Sequence, residues 1–157
     1  MGKIAGKDLK EYINVIKIPA IVNIAVTLLG IGVTLLSGII SLAGPAGAVL
    51  SCFTGLGFLT ISILIGIATA VYAGYAMAKK NNGTLVQALV AGALLGLVVG
   101  IAGSLANIIN TVINMVFLGN AGANLVIGLL VVFVGPVIAV IIGAVCSAIG
   151  GVVGGAK

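Results

Sequence analysis

Residues 84–118 read TLVQALVAGALLGLVVGIAGSLANIINTVINMVFL, thirty-five residues without one charged side chain. A bilayer-crossing helix needs about 20 apolar residues, so this run predicts a membrane-spanning helix with length to spare. At 1.5 Å per residue it would reach about 50 Å, which implies strong tilt or projection beyond the hydrocarbon rather than a soluble core element. The stretches around it have the same character. Apolar runs cover about 18–43, 49–78 and 125–153, parted by Gly44-Pro45-Ala46-Gly47, by Lys79-Lys80-Asn81-Asn82-Gly83 and by Gly119-Asn120-Ala121-Gly122-Ala123-Asn124. Thr84 is a suitable N-cap for the third run, and Pro136 should kink or break the fourth. The fold class that follows is all-α: a polytopic membrane protein of four transmembrane helices, forming one domain over residues 1–157.

Composition agrees. The chain is 62% apolar and 6% charged, with a mean hydropathy of +1.45, which places it in the membrane class. After Glu11 its only charges are Lys17, Lys79, Lys80 and Lys157, and it contains no histidine or arginine. The N-terminal segment holds four of the seven lysines, the middle connection two and the C-terminus one, while the other two turns hold none. By the positive-inside rule these lysines share one side of the membrane, which predicts cytoplasmic termini. The net +5 does not signal nucleic acid, because the lysines form no stripe and aromatic residues are scarce. The partners predicted are the lipid bilayer and other membrane chains, either copies of itself or other subunits.

Ahead of the first span, Leu9, Tyr12, Ile13 and Ile16 recur at helical spacing among Lys7, Asp8, Lys10 and Glu11. Residues 1–17 therefore predict a short amphipathic helix in the membrane interface, with Pro19 at the start of a new helix. The run from Ile18 to Ala43 exceeds the apolar region of a signal peptide and reads as a retained span.

The halves superpose at an offset of 77. Ile24, Ala25, Leu28, Ile31 and Thr34 fall on Ile101, Ala102, Leu105, Ile108 and Thr111, and Ile65-Gly66, Gly74 and Lys80 fall on Ile142-Gly143, Gly151 and Lys157. This predicts two tandem helical hairpins from an internal duplication, related about the membrane normal. The first helix of each half carries a polar stripe: Asn23, Thr27, Thr34 and Ser37 in one, Ser104, Asn107, Asn110, Thr111 and Asn114 in the other. The second helices carry small residues every four positions: Gly66, Ala70 and Gly74, then Gly143, Ser147 and Gly151. Such ridges let helix backbones approach closely, and buried amides and hydroxyls bond across helices. The stripe has an alternative reading as the lining of a pore.

Catalytic chemistry has little to work with. No base stands near a nucleophile, and Asp8 and Glu11 belong to a charged surface face. Cys52 and Cys146 lie too far apart in depth to pair or to hold a metal, and no phosphate-binding glycine loop occurs. No cofactor is expected. Four spans as two hairpins resemble the rotor proteolipid of V-type ATPases in plan, but that family implies a mid-span carboxylate, which this chain lacks. The function predicted is a non-enzymatic integral membrane protein, an oligomerising structural component or a small subunit of a membrane complex. The alternatives are a channel or facilitator with an Asn/Thr-lined path, and a hydrophobic shell or envelope protein.

Overall fold

The computed structural model describes the backbone of residues 3–118 and 121–157, and side chains outside 116–127. Four helices carry the fold: α1 (Leu9–Ser41), α2 (Pro45–Asn81), α3 (Leu85–Leu118) and α4 (Ala121–Val153). Each is long and apolar enough to cross a membrane. Short connections make successive helices antiparallel. The helix boundaries follow local chemistry. Gly44 takes a left-handed φ of 86° and Pro45 occupies the first turn of α2, the place where a missing N–H costs nothing. α2 therefore starts four residues before the expected Val49. At its other end Asn82 adopts the left-handed conformation, and the Gly83 N–H donates to the Met77 carbonyl at 3.1 Å, as in a helix C-terminal cap. Thr84 and Gln87 then bond reciprocally, side chain to backbone, at 3.0 and 3.4 Å. That is a capping box opening α3.

The N-terminus differs from expectation. Among the described residues, 3–17 do not form a separate interfacial helix. Lys3–Ile4 and Lys7–Asp8 pair as two minimal antiparallel strands around Ala5 and Gly6, both with positive φ, the geometry of a tight hairpin turn. From Leu9 onward α1 runs unbroken through Pro19. Tyr12, Val15, Ile16, Pro19, Ala20 and Asn23 are buried along a single stripe across that proline, whereas Leu9 and Ile13 of the expected apolar face are exposed. Burial against the other helices thus overrides a break at Pro19. Pro136 likewise lies inside a continuous α4. The expected turn at Gly119–Asn124 falls partly outside the described residues, since Gly119 and Asn120 are not described and α4 already begins at Ala121.

One end of the bundle gathers the hairpin, the α2–α3 connection and the C-terminus. Lys7 Nζ donates to the Asn81 carbonyl (2.7 Å) and to Glu11 (2.9 Å). Gln87 Nε2 donates to the Ala5 carbonyl (2.8 Å), and the Leu85 N–H to the Lys157 carbonyl (3.3 Å). This is the lysine end. Its core joins Tyr12, Val15, Ile16 and Ala20 of α1 to Ala70, Ala73, Ala76 and Met77 of α2 and to Ala91 and Leu95 of α3.

In cross-section α1 packs on α2 and α3, α4 packs on α3 and α2, and α2 meets α3 across the diagonal. A two-fold axis along the bundle would make α1–α4 equivalent to α2–α3. Among the described residues α1 and α4 do not form a packed pair, so the hairpins are not arranged as symmetric repeats. Close α3–α4 contacts run from Gly92 and Gly143 to Asn107 and Gly128, while a cleft opens beside α1 and α2 in the half away from the lysines.

Candidate functional site: interhelical polar groups and the far cleft

The small residues mark where backbones touch. Gly66 opens toward Asn23 Oδ1 on α1, Ala70 sits in the core, and a Cβ on Gly74 would strike the Ser147 carbonyl of α4. The α2 ridge thus turns from α1 to α4 along its length. On α4, Gly143 and Gly151 face α3: a Cβ on Gly143 would stand 2.5 Å from the Gly92 carbonyl, and one on Gly151 2.7 Å from Ala88 Cβ. The partner surface is Ala88, Gly92, Gly96 and Gly100, where an added Cβ at each glycine would enter the α4 backbone. Those α3 residues have the same four-residue spacing as the ridges of α2 and α4, a signal present in the sequence but absent from the expected set. Gly150 of α4 and Gly154 just beyond its end pack against Val71 and Tyr75 of α2. The ridges therefore close within one chain.

Ser147 stands where α2, α3 and α4 meet. It is fully buried, and its hydroxyl donates to the Ala88 carbonyl at 2.7 Å. Changing Ser147 to Ala removes that bond while keeping the close approach. The expected cost is about 0.6–1.7 kcal/mol, read by denaturant unfolding in detergent micelles. An unchanged midpoint would mean that the bond contributes nothing.

The polar stripe divides into groups with different neighbours. Asn23 Nδ2 donates to the Pro19 carbonyl (2.8 Å) and to Thr69 Oγ1 (2.7 Å), linking α1 to α2. Ser104 donates to the Val132 carbonyl (3.0 Å) and Asn107 to the Gly128 carbonyl (3.0 Å), linking α3 to α4. Thr111 donates to the Asn107 carbonyl of its own helix and packs where Gly128 leaves space. Thr27 and Thr34 also bond back to their own helix, at the carbonyls of Asn23 and Gly30. Asn114 is half-buried on α3. A single continuous polar lining does not result.

Thr27, Thr34, Ser37 and Asn110 instead border one cleft. It lies among α1, α2 and α3 in the half away from the lysines, with a volume of about 520 Å³. Val33, Phe58, Leu59 and Ile63 supply apolar wall, and Gly30 makes room for the Phe58 ring. Two polar atoms here are buried without a hydrogen-bond partner: Ser37 Oγ and Asn110 Oδ1. A buried polar atom left unpaired costs about 1–3 kcal/mol, so these two atoms set this cleft apart from the bonded seams. The residues 77 positions on from the first-hairpin liners, such as Ser104, Asn107 and Gly128, occupy the closed α3–α4 seam.

Metal-type clusters of His, Cys, Asp or Glu are absent among the described residues. Cys52 is exposed and Cys146 half-buried, both as free thiols. Comparison of the chain with protein-family models, with curated proteins and with solved structures finds no match.

Proposed function

We propose that the protein is a non-enzymatic integral membrane component that assembles with other membrane chains, as a homo-oligomer or as a small subunit. The observation that carries this reading is an apolar surface taller than the bilayer. The α2 run from Val49 to Lys79 rises about 45 Å, against a hydrocarbon core of about 30 Å. Tilting it to fit would need about 48°, beyond the 0–40° that membrane helices adopt. Yet Leu42, Val49, Leu50 and Phe53 at the far tip are 56–71% exposed. Apolar surface held out of the hydrocarbon is stabilised by covering it, and a neighbouring chain does so.

The lysine end faces the cytoplasm in this reading, with Leu9 and Ile13 resting in the interface. The two hairpins descend from one duplicated hairpin whose second copy closed and whose first stayed open. A conduit through a single chain gains little support, because Tyr12, Met77, Ala73 and Leu95 are packed at the lysine end and Ser104 and Asn107 bond to α4. A shell-forming role would use the same exposed tip.

The test is the mass and composition of the particle extracted from native membranes in mild detergent. A particle larger than one 15.3 kDa chain is expected, with Phe53→Asn reducing it toward a single chain. A wild-type particle containing one chain and no other protein would overturn the assembly role. The shape of an oligomer, closed particle or discrete complex, separates a shell from a subunit.

A further inference from the structure

The lysine end of α2 carries a cluster that the fold leaves without a counter-charge. Lys79 Nζ donates to the Tyr75 hydroxyl at 2.6 Å and stands 5.1 Å from the ring centroid. Lys80 Nζ donates to the Tyr72 hydroxyl at 3.4 Å, with 5.8 Å to that ring centroid. Helical side chains lean toward the N-terminus of their helix, so both ammonium groups fold back toward the bilayer. Among the described residues the one ion pair joins Lys7 to Glu11, and neither of these phenol hydroxyls donates to a protein acceptor. The C-terminal end of α2 offsets only about half a charge, which leaves about one and a half uncompensated. Two ammonium groups and two phenol O–H groups remain as donors.

The depth of the cluster follows from its neighbours. Asn23 bonds Thr69, which sets α1 and α2 level at those residues. Lys17 and Tyr75 each lie six residues toward the lysine end, about 9 Å away. An exposed lysine on α1 and the tyrosine pair on α2 thus mark one level, as charged and aromatic side chains do at a membrane interface. Toward the bilayer the same face is apolar. Leu64, Ala68 and Tyr72 follow at four-residue spacing, and Tyr75 and Lys79 continue their row. Leu64 is 61% exposed and Tyr72 41%, and Ala68 is exposed as well.

We propose that this face binds an anionic phospholipid from the leaflet at the lysine end. Its phosphate oxygens accept from Lys79, Lys80 and the two tyrosine hydroxyls, and one tail lies along Leu64 and Ala68. A zwitterionic lipid also brings a phosphate, but the two lysines repel its own ammonium group. A soluble phosphate would gain the charges and leave the apolar row uncovered. The site requires the lysine end to lie at a membrane surface and is independent of assembly with other chains.

The chain has no tryptophan and three tyrosines, of which Tyr12 is fully buried. Lipids with brominated tails therefore quench chiefly Tyr72 and Tyr75. The full chain is reconstituted in vesicles of brominated phosphatidylcholine, and unbrominated phosphatidylglycerol replaces it in steps. Recovery of tyrosine emission then measures exchange at the site. A lysine near an anionic headgroup contributes about five-fold, so one and a half uncompensated charges predict about a ten-fold preference for phosphatidylglycerol. Lys79→Gln with Lys80→Gln should lower the preference below about two-fold. Lys10→Gln with Lys17→Gln removes the same charge from exposed positions of α1 and should leave the preference unchanged. Circular dichroism and thermal unfolding confirm that each variant is folded.

Equal exchange of the two lipids in the wild type would overturn the site. An equal fall in both double variants would also overturn it, because the attraction would then belong to the whole lysine end. Loss of the preference on adding millimolar glycerol 3-phosphate at constant ionic strength would assign the cluster to soluble phosphates in place of lipid. Particle mass is read separately: a single-chain particle that keeps the preference defeats the assembly role and leaves the lipid site standing.

Discussion

Gly92→Leu will lower the stability of the bundle by at least about 3 kcal/mol, the upper part of the range for overpacked positions. A Cβ at Gly92 would enter the Gly143 carbonyl and the Ser147 side chain, and Gly143 is equally hemmed in by the Gly92 carbonyl. Backbone faces backbone on both sides, so rotation of a side chain cannot relieve the clash. The α3 and α4 axes must separate, and the Ser147–Ala88 bond on the same seam goes with them. Van der Waals contact is the main attraction between helices in lipid, so separation removes much of what holds the pair. Gly103→Leu supplies the control. That glycine lies on the same helix, but a Cβ there meets nothing within 4 Å, and a change within about 0.5 kcal/mol is expected. Unfolding in bicelles measures both, and equal midpoints for the two variants would refute the seam.

Tyr12→Ala should cost about 3–5 kcal/mol, the usual range for truncating a fully buried aromatic side chain. Tyr12 has no exposed surface and belongs to the core that joins α1 to α2 and α3. Its hydroxyl also donates to the Ile4 carbonyl at 3.0 Å, fastening the N-terminal hairpin. Tyr12→Phe separates the two contributions: about 1 kcal/mol for the hydrogen bond, together with faster trypsin cleavage at Lys3 and Lys7. If Tyr12→Ala lost no more than Tyr12→Phe, the ring would contribute nothing to the core.

Much of this architecture is legible from charge alone. Long runs without a charge define the four helices, and the lysines foretell the end at which hairpin, middle connection and C-terminus meet. Helical spacing groups Asn23 with Thr27 and Thr34 on one side of α1, but it cannot say which neighbour that side meets. Asn107 turns to α4 while Asn110, three residues on, borders the cleft; only about 60° around the helix axis separates them, so spacing alone places both on one face. Small residues recur every four positions on three helices, so the pairing of α3 with α4 could not be chosen from spacing. The N-terminal hairpin escaped for a different reason. Leu9, Tyr12, Ile13 and Ile16 do form a helical pattern, but it is the start of α1, and the turn depends on Gly6 and on Gln87, 82 residues from the Ala5 carbonyl it holds.

The seam between α2 and α4 carries a consequence for the order in which the chain is made. Gly74 finds its partner at Ser147, a residue that a ribosome working at about 5–20 residues per second adds roughly 4–15 s later. During that interval the first hairpin stands in the membrane with an uncovered small-residue edge. Its final shape awaits the last helix. A nascent chain halted between α2 and α4 would be open to capture by whatever else in the membrane fits that edge, so insertion machinery that shelters α2 until α4 arrives would raise the yield of folded protein.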